Sequence, residues 1–177
     1  MSIRYHLNTA GFRIAYFSKE YANRIAVTCY DSYRKRSYTY MDLFKLSVQT
    51  AGFLLQKGCK KGDAVMVSAK NCTEYAVLIF AGAILGIKIV PVDINLPVTC
   101  IMRYLSIVRP KVFFTSRNDI LEDDDMMNTL AVPITQFFER IALFPDVVEA
   151  MYEMFPEVEW YVDENDVFFV IFTSGTT

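Results

Sequence analysis

The residues best suited to chemistry are Phe172-Thr173-Ser174-Gly175-Thr176-Thr177. Hydroxyls and a glycine in succession suit phosphate oxygens. The hydroxyls and backbone N–H groups donate hydrogen bonds, and the glycine lets the backbone approach closely. The preceding run, Val167 to Ile171, is aromatic and β-branched and is bounded by Asp163-Glu164-Asn165-Asp166. It reads as a buried strand. A buried strand that empties into such a loop sets its donors at the carboxyl end of a sheet, where open α/β folds bind ligands. The chain stops inside this loop. No Gly-Lys-Ser/Thr follows the glycine, so this is not a Walker A loop, and there is no G-x-G-x-x-G fingerprint. Gly62 and Gly86 read as turn and cap residues.

Other reactive groups point to structure. The cysteines, at 29, 59, 72 and 100, form no C-x-x-C pair, and His6 is the single histidine. A zinc site is not expected. Cys72 precedes a helix, where a lowered pKa is conceivable, but a packed thiol is the preferred reading. Asp93 is expected to bond locally after its strand, Trp160 to pack, and Glu122-Asp123-Asp124-Asp125 to form a solvated turn. No metal ligands are assigned.

The elements that position the loop follow from periodicity. A helix is expected from about Asn8. A strand over Ile25–Tyr30, a charged turn over 31–36 and a return strand over Ser37–Tyr40 form a hairpin. Thr39 and Asp42 make a capping box for a helix that Gly58 stops. Ala64–Ala69 is a strand. Asn71 with Glu74 caps a nearly all-apolar helix that ends at Gly86, with Gly82 allowing close packing. Lys88–Val92 is the next strand. Pro97 opens a helix to about Val108, Pro110 ends it, and Lys111–Thr115 is a strand. Two βαβ units over 64–115 imply a mostly parallel α/β sheet flanked by helices. A short strand at Ile134–Phe138 and helical spacing over Pro145–Phe155 follow.

Bulk properties narrow the class. With 177 residues, 14 Phe and 11 Tyr, the chain can bury a real core. The net charge is −2, with 18 basic and 20 acidic residues spread along it, so no nucleic-acid partner is expected. The longest apolar stretch, Tyr75 to Ile87, is shorter than the ~20 residues that span a bilayer. No transmembrane segment or signal peptide is read, and a cytoplasmic protein with reduced thiols is expected. Peripheral membrane contact stays open.

Three segments together resemble the N-terminal part of the adenylate-forming (AMP-binding) superfamily. That family includes acyl-CoA synthetases, nonribosomal peptide synthetase adenylation domains and luciferases. Its T-Y-x-E-L appears as Thr39 to Leu43, with Asp42 for Glu. Its A-G-x-x-Y-V-P-L-D appears as Leu85 to Asp93, with Ile89 where Tyr is usual and Leu85 where Ala is usual. Its Y-T-S-G-T-T-G-x-P-K-G appears as Phe172 to Thr177, with Phe for the leading Tyr and the remainder absent. The resemblance spans about Ile25 to Thr177. It requires Val167–Ile171 to lie inside the sheet built by the earlier strands.

The resemblance implies that a carboxylic acid attacks the α-phosphate of ATP, with Mg²⁺ bound, giving an acyl-adenylate and pyrophosphate. A thiol of coenzyme A or a carrier protein then displaces AMP. Thr173, Ser174, Gly175, Thr176 and Thr177 would hold the β- and γ-phosphates. No catalytic residue maps onto this chain, because the nucleotide, metal and acyl sites and the C-terminal domain lie downstream in the family. Residues 1–177 are thus expected to be one N-terminal subdomain of an adenylation domain, inactive alone and able to self-associate through exposed apolar surface. The Asp93–Pro97 segment leans toward acyl-CoA synthetases and fatty acid metabolism. A non-catalytic flavodoxin-like binding or interaction module is the alternative.

Overall fold

The computed structural model describes residues 4–5, 8–31, 34–121, 131–134 and 161–173. In chain order the elements are β1 (Arg4–Tyr5), α1 (Ala10–Glu20), β2 (Ile25–Asp31), β3 (Arg34–Thr39) and α2 (Tyr40–Gln56). Next come β4 (Ala64–Ser68), α3 (Thr73–Leu85), β5 (Lys88–Pro91), α4 (Val98–Val108) and β6 (Val112–Thr115). Last are α5 (Asn118–Leu121), β7 (Ala131–Pro133) and β8 (Tyr161–Val162).

The main sheet runs β5-β4-β6-β7, and every pairing in it is parallel. Side-chain alternation along its strands makes it two-faced. Val65, Val67, Ile89, Val112 and Phe114 turn to one core with residues of α2 and α3. Met66, Val90 and Phe113 turn to the other with Ile101 and Leu105 of α4. The chain leaves β4 through α3 to β5, then returns through α4 to β6 on the other side of β4. The two helices therefore cover opposite faces, as right-handed crossovers require. This is the α/β arrangement that the two βαβ units imply.

Local chemistry sets the element ends. Thr39 Oγ1 accepts the Asp42 N–H at 3.1 Å while Asp42 Oδ2 accepts the Thr39 N–H at 3.0 Å, so the capping box is complete. Gly86 closes α3 at φ 66°, a left-handed conformation that favours glycine. Gly82 lies against β5: an added Cβ would stand 2.5 Å from Ile89 Cδ1.

Several boundaries differ from expectation. Cys72, not Asn71, is the N-cap of α3, and it makes no side-chain cap. Pro97 is the N-cap of α4, with the helix starting at Val98. The return strand begins at Arg34, because the antiparallel register continues through Tyr30↔Lys35 and Asp31↔Arg34 beyond the expected turn. The strand expected from Ile134 is replaced by β7; Ile134 is already helical, following Pro133, which has no N–H to extend a ladder. Residues 135–138, Pro145–Phe155, Glu122–Asp125, His6 and Trp160 lie outside the described residues.

Candidate functional site

Among the described residues, Val167–Ile171 is not an interior strand. It lies at the margin of the main sheet, beside β5, joined by a parallel bridge between Phe169 and Ile89. The Ile89 N–H donates to the Phe168 carbonyl at 2.8 Å, and the Val170 N–H donates to the Ile89 carbonyl at 3.0 Å. Val167, Phe169 and Ile171 are exposed by 53%, 38% and 67%. Phe168 packs on the α2–α3 core, while Val170 and Phe172 pack on the α4 core. An apolar run shows that a segment seeks cover; it does not show how many neighbours supply it.

The margin still carries the loop to the right end of the sheet. The bridge is parallel, so Thr173 emerges with the carboxyl ends of β4, β5 and β6. Lys61 holds the start of the segment through a 2.7 Å ion pair with Asp166. Phe172 holds its end, stacked on Tyr104 of α4 with ring centroids 3.9 Å apart and planes 7° apart. Thr173 beyond this stack is exposed. Its hydroxyl chemistry and its place fit a phosphate oxygen. Ser174, Gly175, Thr176 and Thr177 lie outside the described residues. Among the described residues no group of three or more His, Cys, Asp or Glu could hold a metal ion.

The neighbouring loops are braced by a residue that the sequence reading passed over. Arg117 donates Nη1 to the carbonyls of Ile94 and Leu96, and its Nε donates to Asp119 Oδ1 at 3.0 Å. It ties the loop after β6 to the loop after β5. Asp119 in turn holds the Arg117 guanidinium above its usual range. An Arg two residues before an Asp, just past a buried strand, was the available signal. Asp93 does bond locally, as expected: its Oδ1 accepts the Asn95 N–H at 2.9 Å. Deeper in, Thr115 Oγ1 donates to the Ser68 carbonyl at 3.0 Å, while the hydroxyls of Ser68 and Ser116 have no partner among the described residues.

Two of the thiols, Cys59 and Cys72, pack against the α2–α3 core. Cys72 stands at a helix N-terminus, yet burial pushes it up to about 12. Burial, then Asp63, pushes Cys59 up to about 11. A cavity of about 250 Å³ lined by Thr9, Gly86, Val162 and Asp163 opens at the amino end of β5, away from Thr173.

Comparison with known proteins agrees with this geometry. A family model described as AMP-binding enzyme matches residues 14–177. Acyl-CoA ligase sidI of Beauveria bassiana is 30% identical over 153 residues, covering 79% of this chain and 27% of that protein. The structure of VinN with 3-methylaspartate superposes with a TM-score of 0.78 at 18% identity, over 99% of this chain and 46% of that one. O-succinylbenzoate Coenzyme A Synthetase (MenE) from Bacillus subtilis, in complex with AMP, gives 0.69 at 19% identity, over 93% and 39%. The chain thus spans less than half the length of each. The family match includes the marginal segment and the hydroxyl loop, so the identification does not rest on an interior position for Val167–Ile171. The chain belongs to the AMP-binding enzyme family.

Proposed function

We propose that these residues form one N-terminal subdomain of an acid-activating ligase, a longer protein of which they are a part. That protein joins a carboxylic acid to AMP at the expense of ATP, releases pyrophosphate, and passes the acyl group to a thiol of coenzyme A or a carrier protein. Membership of the AMP-binding family supports the reaction class. The likeness to a protein named acyl-CoA ligase supports coenzyme A as the thiol.

The observation that carries the reading is Thr173 emerging at the carboxyl end of a parallel sheet, held there by the Ile89 bridge and the Tyr104–Phe172 stack. Thr173, Ser174, Thr176 and Thr177 would donate hydroxyls to the β- and γ-phosphates, and Gly175 would admit the backbone. Their part is to orient the leaving pyrophosphate and spread its charge. Mg²⁺ would be held by residues outside those described here. The chain alone does not form acyl-adenylate, since it supplies only one wall of the site. A cytoplasmic setting is supported by the cysteines, all four of which are free. No described helix is long and apolar enough to cross a membrane.

Reading the gene past Thr177 tests the proposal. Gly-x-Pro-Lys-Gly is the expected continuation. A stop codon would favour a non-catalytic module instead.

A further inference from the structure

Arg117 is anchored in the main sheet and reaches out of it. Its N–H donates to Thr115 Oγ1 at 3.1 Å, and that hydroxyl donates to the Ser68 carbonyl on the neighbouring parallel strand. The guanidinium divides its donors. Nε and Nη2 go to the Asp119 carboxylate, and Nη1 goes to the carbonyls of Ile94 and Leu96. A planar fork held on one edge by a carboxylate presents its remaining donors in a fixed direction. Among the described residues no other donor reaches either carbonyl.

Those carbonyls belong to the loop that starts α4. Pro97 follows Leu96 directly and is the N-cap, with no side-chain cap hydrogen bond. Its ring fixes φ, here −53°, so the heading that Arg117 gives to Leu96 passes into the helix with little slack. Ile101 and Leu105 bury one face of α4. Burial is non-directional. It keeps the helix on the sheet without fixing how far the helix slides along it. Tyr104, on the same helix, stacks on Phe172 with ring planes 7° apart, a contact that sliding or tilting of α4 would break. Phe172 is the residue before Thr173.

We propose, on the ligase reading above, that Arg117 is a positioning residue for acid activation. Through the loop from Ile94 to Leu96, then α4 and the Tyr104–Phe172 stack, it sets where Thr173 meets the ATP phosphates. Its own contacts are with Ile94, Leu96, Thr115 and Asp119, so it acts through other residues.

The experiment uses Arg117→Gln and Tyr104→Leu, singly and together, in the longer ligase and in this chain. In the ligase, carboxylate-dependent ATP–pyrophosphate exchange is followed against ATP and against the acid. Each single variant should lose roughly 100-fold in kcat/KM for ATP, with a raised KM for ATP and an unchanged KM for the acid. Partial unfolding would lower kcat alone, because it removes enzyme without altering what remains. Both residues act along one path, so the double variant should lose about what the worse single loses. In this chain, hydrogen exchange at the Val170 N–H, which is bonded to the Ile89 carbonyl, should quicken in each variant while the amides of β4 keep their rates. An unchanged KM for ATP, losses that multiply in the double variant, or an unquickened Val170 amide would each overturn the proposal and leave the ligase reading standing. No exchange of pyrophosphate by the unaltered longer protein would overturn that reading, and the proposal with it.

Discussion

Gly82 and Ile89 are fitted to each other across the interface between α3 and β5. A Cβ on Gly82 would stand 2.5 Å from Ile89 Cδ1 and 2.8 Å from Cγ1. Ile89 is fully buried, and its backbone holds the segment that leads to Thr173. A missing side chain on one helix therefore makes room for the residue that holds the segment leading to Thr173.

Gly82→Ala tests this fit. Overpacking a buried contact costs about 1–3 kcal/mol, offset by about 1 kcal/mol from helix propensity. A net loss of about 0–2 kcal/mol is expected in urea denaturation. Adding Ile89→Val, which removes Cδ1, should leave the double variant less destabilised than the sum of the singles. Strict additivity would contradict the contact.

The buried hydroxyls at the carboxyl ends of β4 and β6 make a matched pair of predictions. Ser68 Oγ is fully buried and has no partner among the described residues. Ser68→Ala should be neutral or stabilise by up to about 1 kcal/mol. Thr115 Oγ1 donates to the Ser68 carbonyl and accepts the Arg117 N–H at 3.1 Å. Thr115→Val, which keeps the shape, should cost about 1–2 kcal/mol. Thermal or urea denaturation of both variants checks the order. A Ser68→Ala loss as large as that of Thr115→Val would show that the serine hydroxyl is engaged.

Cys72 yields a pH dependence. Its thiol ionises near 9.0 in an ordinary setting and near about 12 in the folded chain, because burial disfavours the thiolate. Above about pH 9 the unfolded chain sheds this proton while the native chain keeps it, so stability falls as pH rises toward about 12. Below about pH 9 both states keep it and the effect vanishes. The loss of urea stability between about pH 8 and about pH 10.5 should be smaller in Cys72→Ala than in the unaltered chain. In the native state at about pH 8, iodoacetamide should label Cys72 far more slowly than in urea. Equal labelling rates would contradict a packed thiol.

What was legible in the sequence is what local chemistry determines. Thr39 with Asp42 marks a helix start because both partners of the cap lie within one turn. Gly86 marks a helix end because one residue must turn left-handed. The alternation of Val65, Met66 and Val67 shows two buried faces because each side chain must find cover. Position within the sheet is another matter. Val167–Ile171 looked interior because every residue is apolar, yet it lies at the margin. The number of strands beside it depends on distant segments. Cys72 displaced Asn71 as the N-cap: it packs against the α2–α3 core while Asn71 is exposed. Arg117 went unnoticed because its importance lies in reaching carbonyls of Ile94 and Leu96, which are remote in sequence. The site was legible as a motif but not as a geometry.

The central claim is that the hydroxyl loop beginning at Thr173 holds the pyrophosphate end of ATP during acid activation. Carboxylate-dependent ATP–pyrophosphate exchange tests it most directly. It should be measured on this chain, on the longer ligase that contains it, and on the longer ligase with Thr173→Ala. The account predicts no exchange from this chain, exchange from the longer protein, and a fall of roughly 100- to 1,000-fold on removing one hydroxyl donor. Exchange by this chain alone, or full activity in the Thr173→Ala ligase, would contradict it.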